Sequence, residues 1–189
     1  MIEMTSKDDA KDLFEVRVTK DLSYGVGIVN SEASPITTET RELLLDVYEP
    51  VAVAIGAKRP ALVLAFGGAF HRGSKDDDTF EDEAWQNTPI AEYCHAMASR
   101  GFVCFSVDYR LTSEDPDPGP NRWLTAPEAL ARSRMDHVRA LLGLPPATNE
   151  VLANGMDAAF NDVAAAFTYV VENAAQYDID ESRVGIGGF

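Results

Sequence analysis

A chain of 189 residues with 46% hydrophobic and 25% charged side chains can bury a sizeable core and has the composition of an ordinary globular domain, which excludes a disordered or peptide-like reading. Its 31 acidic against 16 basic side chains give a formal charge of -15, a surface that repels phosphate backbones and anionic lipid, so nucleic acid is excluded as a partner. No apolar run approaches the roughly 20 residues a membrane span needs, residues 1–13 lack the basic and then apolar pattern of a secretory leader, and Cys94 and Cys104 are too few for a disulfide framework.

The chain opens with β-like stretches at 14–18, 25–30 and 42–48, where Leu43, Leu45 and Val47 alternate with other side chains, as expected of an antiparallel meander. Pro60 punctuates the chain, and 61–66 is a continuous apolar run of the kind found in a strand buried on both faces. Gly67-Gly68-Ala69-Phe70 follows at once, and then a polar, acidic loop. The runs Asp76-Asp77-Asp78 and Glu81-Asp82-Glu83 lack the interposed glycine and fixed ligand spacing of a calcium loop, so they read as a solvated surface.

Pro89 suits a first helical turn, and Ile90, Tyr93, Cys94 and Met97 recur at helical spacing until Gly101 ends the helix. The next strand spans 102–107, and the strand–helix–strand order predicts a parallel sheet. Residues 112–144 interrupt the rhythm with Asp115-Pro116-Asp117-Pro118-Gly119-Pro120 and a short helix at about 129–142, read as a lid-like insertion over one end of the sheet. A long helix starting at 149 or 156 runs to 177, with Phe160, Val163, Ala164, Phe167, Val170 and Val171 as its apolar face. A last strand at 183–186 leads into the bend Gly187-Gly188-Phe189.

Three of these segments resemble, in order, parts of the α/β-hydrolase superfamily of serine esterases, of the carboxylesterase and lipase-like kind. The first is the strand followed by Gly67-Gly68-Ala69-Phe70, which is similar to the oxyanion-hole loop of those enzymes. Small residues let a backbone approach the negative oxygen of a tetrahedral intermediate and offer it N–H groups. Phe66 stands where many lipase-like members carry histidine, so the loop looks more like the carboxylesterase form. The second is Asp108-Tyr109-Arg110 after strand 102–107, a frequent run in the superfamily, read as a buried polar network that anchors loops. The third is residues 180–189, which look like the approach to the Gly-x-Ser-x-Gly nucleophile elbow, with Gly188 and Phe189 in its first two places.

The resemblance implies an incomplete α/β-hydrolase fold: the N-terminal part of one domain over residues 1–189, ending before the nucleophile. It implies hydrolysis of a carboxylic ester by serine, histidine and an acid through an acyl-enzyme, with Gly68 and Ala69 as oxyanion donors and Gly67 as loop support. The triad lies outside this chain, so the partners implied are a small-molecule ester and the C-terminal segment of the same domain. Phe70 and His71 are candidate substrate-binding residues, and Phe66 and Trp123 are apolar candidates beside them. His95 and His137 fall in a helix and in the insertion, and no cofactor or metal is implied. Two other readings stay open: a hydrolase-fold binding module without chemistry, and a dinucleotide-binding domain built on Gly185-Ile186-Gly187-Gly188, which lacks a following helix. A cytoplasmic location is the default, a secreted chain whose leader has been removed reads the same way, and the oligomeric state is not legible.

Overall fold

The computed structural model of the chain describes residues 13–31, 39–51, 56–82 and 85–188. In chain order its elements are β1 (Val16–Val29), β2 (Glu39–Pro50), β3 (Arg59–Ala65), β4 (Glu81–Asp82), β5 (Trp85–Gln86), α1 (Ile90–Ala98), β6 (Val103–Val107), α2 (Ser133–Leu141), α3 (Asn149–Glu172) and β7 (Ile179–Gly188). Five strands form a mixed sheet in the order β1-β2-β6-β3-β7, while β4 and β5 make a small separate hairpin. β1–β2 and β2–β6 pair antiparallel; β3 pairs parallel with both β6 and β7. The fold is therefore α/β, with an antiparallel opening followed by parallel units.

The alternation that predicts strands also places the core. Leu45, Val47, Val63, Phe105 and Val107 have no exposed surface and pack toward Ala166, Val170 and Tyr177 on one face of the sheet. Tyr48, Cys94, Ala98 and Cys104 form a second cluster on the α1 side. Burying a Val, Leu or Phe side chain contributes about 1.5–3 kcal/mol, so the sheet is held by apolar burial from both faces. Both cysteines are free and buried, and burial pushes the Cys104 thiol up to about 12.

Several boundaries differ from the sequence expectation. The stretches 14–18 and 25–30 are one strand, β1, because register shifts between Thr19 and Leu22 and between Ser23 and Gly25 absorb the polar interval. β7 is longer than 183–186. Its Gly185, Ile186, Gly187 and Gly188 pair with Leu62, Val63, Leu64 and Ala65, so Gly187 and Gly188 are extended strand rather than a bend. The glycine run offered for a dinucleotide loop is thus strand. The helix expected at about 129–142 is a 3-10 turn at Pro127–Ala129 followed by α2.

α3 takes the earlier of its two expected starts, where the Thr148 hydroxyl accepts from Val151 N at 3.2 Å, and it ends at Glu172 rather than 177. Its buried face is also rotated from the expected one. Leu152, Ala153, Ala158, Ala159, Ala166 and Val170 are buried together with Asp157 and Asp162, while Phe160 is exposed. Alanines let the helix lie close to the sheet, and the two aspartates are buried because each meets partners from the 110–124 segment.

Candidate active site

β3 lies between β6 and β7, and the chain leaves it through α1 to one neighbour and returns through α3 to the other. In open α/β sheets, ligands bind in the crevice at the carboxyl ends of strands where the winding reverses. The loop at that end of β3 is Gly67-Gly68-Ala69-Phe70.

Its backbone is unusual. Gly68 has φ 138°, and Ala69 and Phe70 have φ 53° and 63°, a left-handed conformation costing a non-glycine residue about 1–2 kcal/mol. A Cβ on Gly68 would lie 2.1 Å from Arg72 O, so only glycine fits. His71 N donates to Gly68 O at 3.1 Å, closing the turn. Among the described residues, the N–H groups of Gly68 and Ala69 donate to no acceptor, whereas Gly67 N–H is taken by Asp78 Oδ2 at 2.9 Å.

Surrounding residues hold this strained turn in place. Asp78 also accepts from Ile90 N at 2.8 Å, supplying the cap that Pro89 does not give α1. The Tyr109 hydroxyl donates to Phe66 O at 3.0 Å, with the two rings stacked 4.1 Å apart. Burial pushes the Tyr109 hydroxyl up, so it remains a donor. Thr112 N donates to Phe70 O at 2.8 Å. Asp108 accepts from Lys75 N at 2.8 Å, and the Ser106 hydroxyl donates to Lys75 O at 2.7 Å.

Arg110 and Asp162 form a buried pair, Nη2 to Oδ1 at 2.7 Å, and Arg110 Nη1 also donates to Ile28 O and Asp117 O. The Asp108-Tyr109-Arg110 run is accordingly spent on anchoring the loop, β1 and α3. Below the loop, the Lys75 ammonium lies 2.8, 2.8 and 2.9 Å from carboxylate oxygens of Asp21, Asp46 and Asp76. Burial alone would lower its pKa, but the three hydrogen-bonded carboxylates raise it.

Two cavities flank the loop. One of about 380 Å3 is apolar and is lined by Phe66, Ala69, Phe70, Val163, Ile186 and Gly188 among others. It brings the loop and the end of β7 together. The other, of about 610 Å3, is bordered by Gly67, Gly68, Ala69, Arg72, Arg134 and Met135 among others. Ala69 and Phe70 border both.

Other expected site residues fall elsewhere. His71 is buried and borders neither cavity; both ring nitrogens lack a hydrogen-bond partner, and burial, with Arg139 nearby, lowers its pKa to about 4. Trp123 is exposed and borders neither cavity, because its backbone N–H is tied to Asp157. The insertion meets the second cavity through Ala131, Arg134 and Met135 instead. Phe189 lies outside the described residues. Asp78 is buried rather than solvated, and the sequence reading missed it; the signal was a helix beginning after Pro89 with no capping side chain of its own. Among the described residues no His, Cys, Asp and Glu group is arranged to hold a metal, and no helix is long and apolar enough to cross a membrane.

No protein-family model matches the sequence, and no curated protein matches it. Among solved structures the chain is similar to a thermophilic esterase from the planctomycete Thermogutta terrifontis, at 18% identity and a TM-score of 0.48, over 93% of this chain and 39% of that one. The propionate-bound form of that esterase gives 17% identity and a TM-score of 0.48, over 96% and 42% of the two chains. Its cyclosarin-phosphonylated form gives 18% and 0.49, over 93% and 42%. The chain spans about two fifths of the length of these structures.

Proposed function

We propose that the chain is the amino-terminal part of an α/β-hydrolase-type serine esterase and contributes its oxyanion hole. The observation that carries this reading is the pair of uncommitted N–H groups of Gly68 and Ala69, held in a strained turn beside the apolar cavity that the end of β7 also borders. Preorganised backbone donors aimed at a developing negative oxygen are usually the largest single contribution in acyl transfer.

In this reading the segment after β7 brings a serine to the cavity, followed by the acid and histidine. The serine oxygen attacks the ester carbonyl carbon while histidine takes its proton, and the carbonyl oxygen becomes the oxyanion bound by Gly68 and Ala69. Collapse expels the alcohol, which receives the proton from histidine. Water then hydrolyses the acyl-enzyme by the same steps. The apolar cavity holds the acyl or aryl portion.

The test is hydrolysis of an aryl butyrate by residues 1–189 joined to their natural continuation. Ala69→Gly keeps the donor and suits the positive φ, so turnover persists; replacing the Gly68–Ala69 amide by an ester removes the N–H, leaves the φ of residue 69 free to stay positive, and lowers turnover a hundredfold or more, about 3 kcal/mol. Equal turnover in the two folded variants would refute the donor role. A folded polypeptide that binds esters and turns none over would instead be a binding module.

A further inference from the structure

We infer that the larger cavity is a subsite for a carboxylate, and, on the esterase reading above, that the substrate is an ester carrying a free carboxylate away from its scissile carbonyl. Arg72 and Arg134 are the residues that bind it. Both border the cavity, as do Gly68 and Ala69 of the turn.

The charges there are unusual for a chain with 31 acidic and 16 basic side chains. Arg41, Arg59, Arg110, Arg122 and Arg132 each reach a carboxylate within 4 Å, and Arg100 and Arg139 donate to backbone carbonyls. Arg134 makes neither contact among the described residues. Arg72 spends Nη1 on Thr79 O at 3.2 Å and lies over the Phe80 ring at 4.4 Å. Its Nε is buried without an acceptor, and Nη2 has none among the described residues. Nη2 is thus the Arg72 donor left for a carboxylate oxygen, and the Arg134 guanidinium supplies the second cation.

Asp78 also borders the cavity, but both its oxygens are taken by Gly67 N and Ile90 N. It moderates the positive charge without forming an ion pair with Arg72. Burial and the charge of Arg134 both work against the charged form of Arg72, and an incoming anion relieves that repulsion. At about 610 Å3 the cavity has room for a short dicarboxylate chain.

The probes are succinate, monomethyl succinate and methyl butyrate. Succinate should bind the chain, more weakly as salt rises, and R72Q and R134Q should each weaken it about tenfold or more. In the chain with its continuation, the ratio of kcat/KM for monomethyl succinate over methyl butyrate should fall by a similar factor in each variant, and stay unchanged in R100Q. Arg134 is exposed, so R134Q tests the idea even if R72Q fails to fold. Turnover of both esters with an unchanged ratio overturns the subsite and leaves the esterase reading intact. Arginine-dependent succinate binding without turnover of any ester supports the carboxylate site and overturns the esterase reading. Binding of inorganic phosphate but not succinate overturns the carboxylate assignment.

Discussion

Replacing Asp78 by alanine tests how the donor turn is held. The carboxylate accepts from Gly67 N at 2.9 Å and Ile90 N at 2.8 Å, joining the turn to the start of α1. A hydrogen bond to a charged group is worth about 1.5–3 kcal/mol, so the two together set a ceiling near 3–6 kcal/mol. Gly67 is only partly buried and can recover water after the substitution, while Ile90 is fully buried. The expected loss is therefore about 2–4 kcal/mol in urea unfolding, with faster hydrogen exchange at the Gly67 and Ile90 amides. Asp78→Asn should lose part of this, since one amide oxygen still accepts. A D78A protein within about 0.5 kcal/mol of the parent, with unchanged exchange at both amides, would refute the reasoning.

Gly68→Ala should destabilise the chain by more than about 2 kcal/mol, because its Cβ meets Arg72 O at 2.1 Å, whereas Gly56→Ala, with nothing within 4 Å, should cost only the positive-φ penalty; chemical denaturation of the pair checks the difference. Lys75→Met should cost about 2–4 kcal/mol in the same assay, since it leaves the buried Asp46 carboxylate with only the exposed Lys20 ammonium, 3.9 Å away. His71 titrates near 4 when folded against an ordinary value of 6.5, so the unfolded chain takes up the proton first. Its contribution is complete above about pH 6.5 and is lost as pH falls toward 4, by at most about 1.4 kcal/mol per pH unit. Arg139 opposes the protonated ring and Asp136 favours it; His71→Phe should flatten the slope of unfolding free energy in that window relative to the parent.

Composition and periodicity made the strands legible, because Leu43, Leu45 and Val47 report a buried face directly; the run 61–66, expected to be buried on both faces, buries Ala61 and Val63 on one and leaves Leu62 and Leu64 half-buried on the other. The apolar-face expectation for α3 failed for a physical reason: the helix approaches the sheet through alanines, and its buried Asp157 and Asp162 look like solvent-facing residues until their partners in a distant segment are known. The glycine turn was legible from composition, yet its supports were not. Asp78 sits in a run of acids and Lys75 beside them, and only the fold shows that both are buried. His71 looked accessible from its place next to the turn, but the turn itself carries it into the interior.

The most direct test of the esterase account is covalent labelling of residues 1–189 with their natural continuation, using a fluorophosphonate and locating the adduct by mass spectrometry. The account predicts one adduct, on a serine immediately after Phe189, with labelling slowed by Gly68→Ala. A folded polypeptide that takes up no phosphonate, or takes it up only at a site remote from the cavity shared by Ala69 and Gly188, would contradict it.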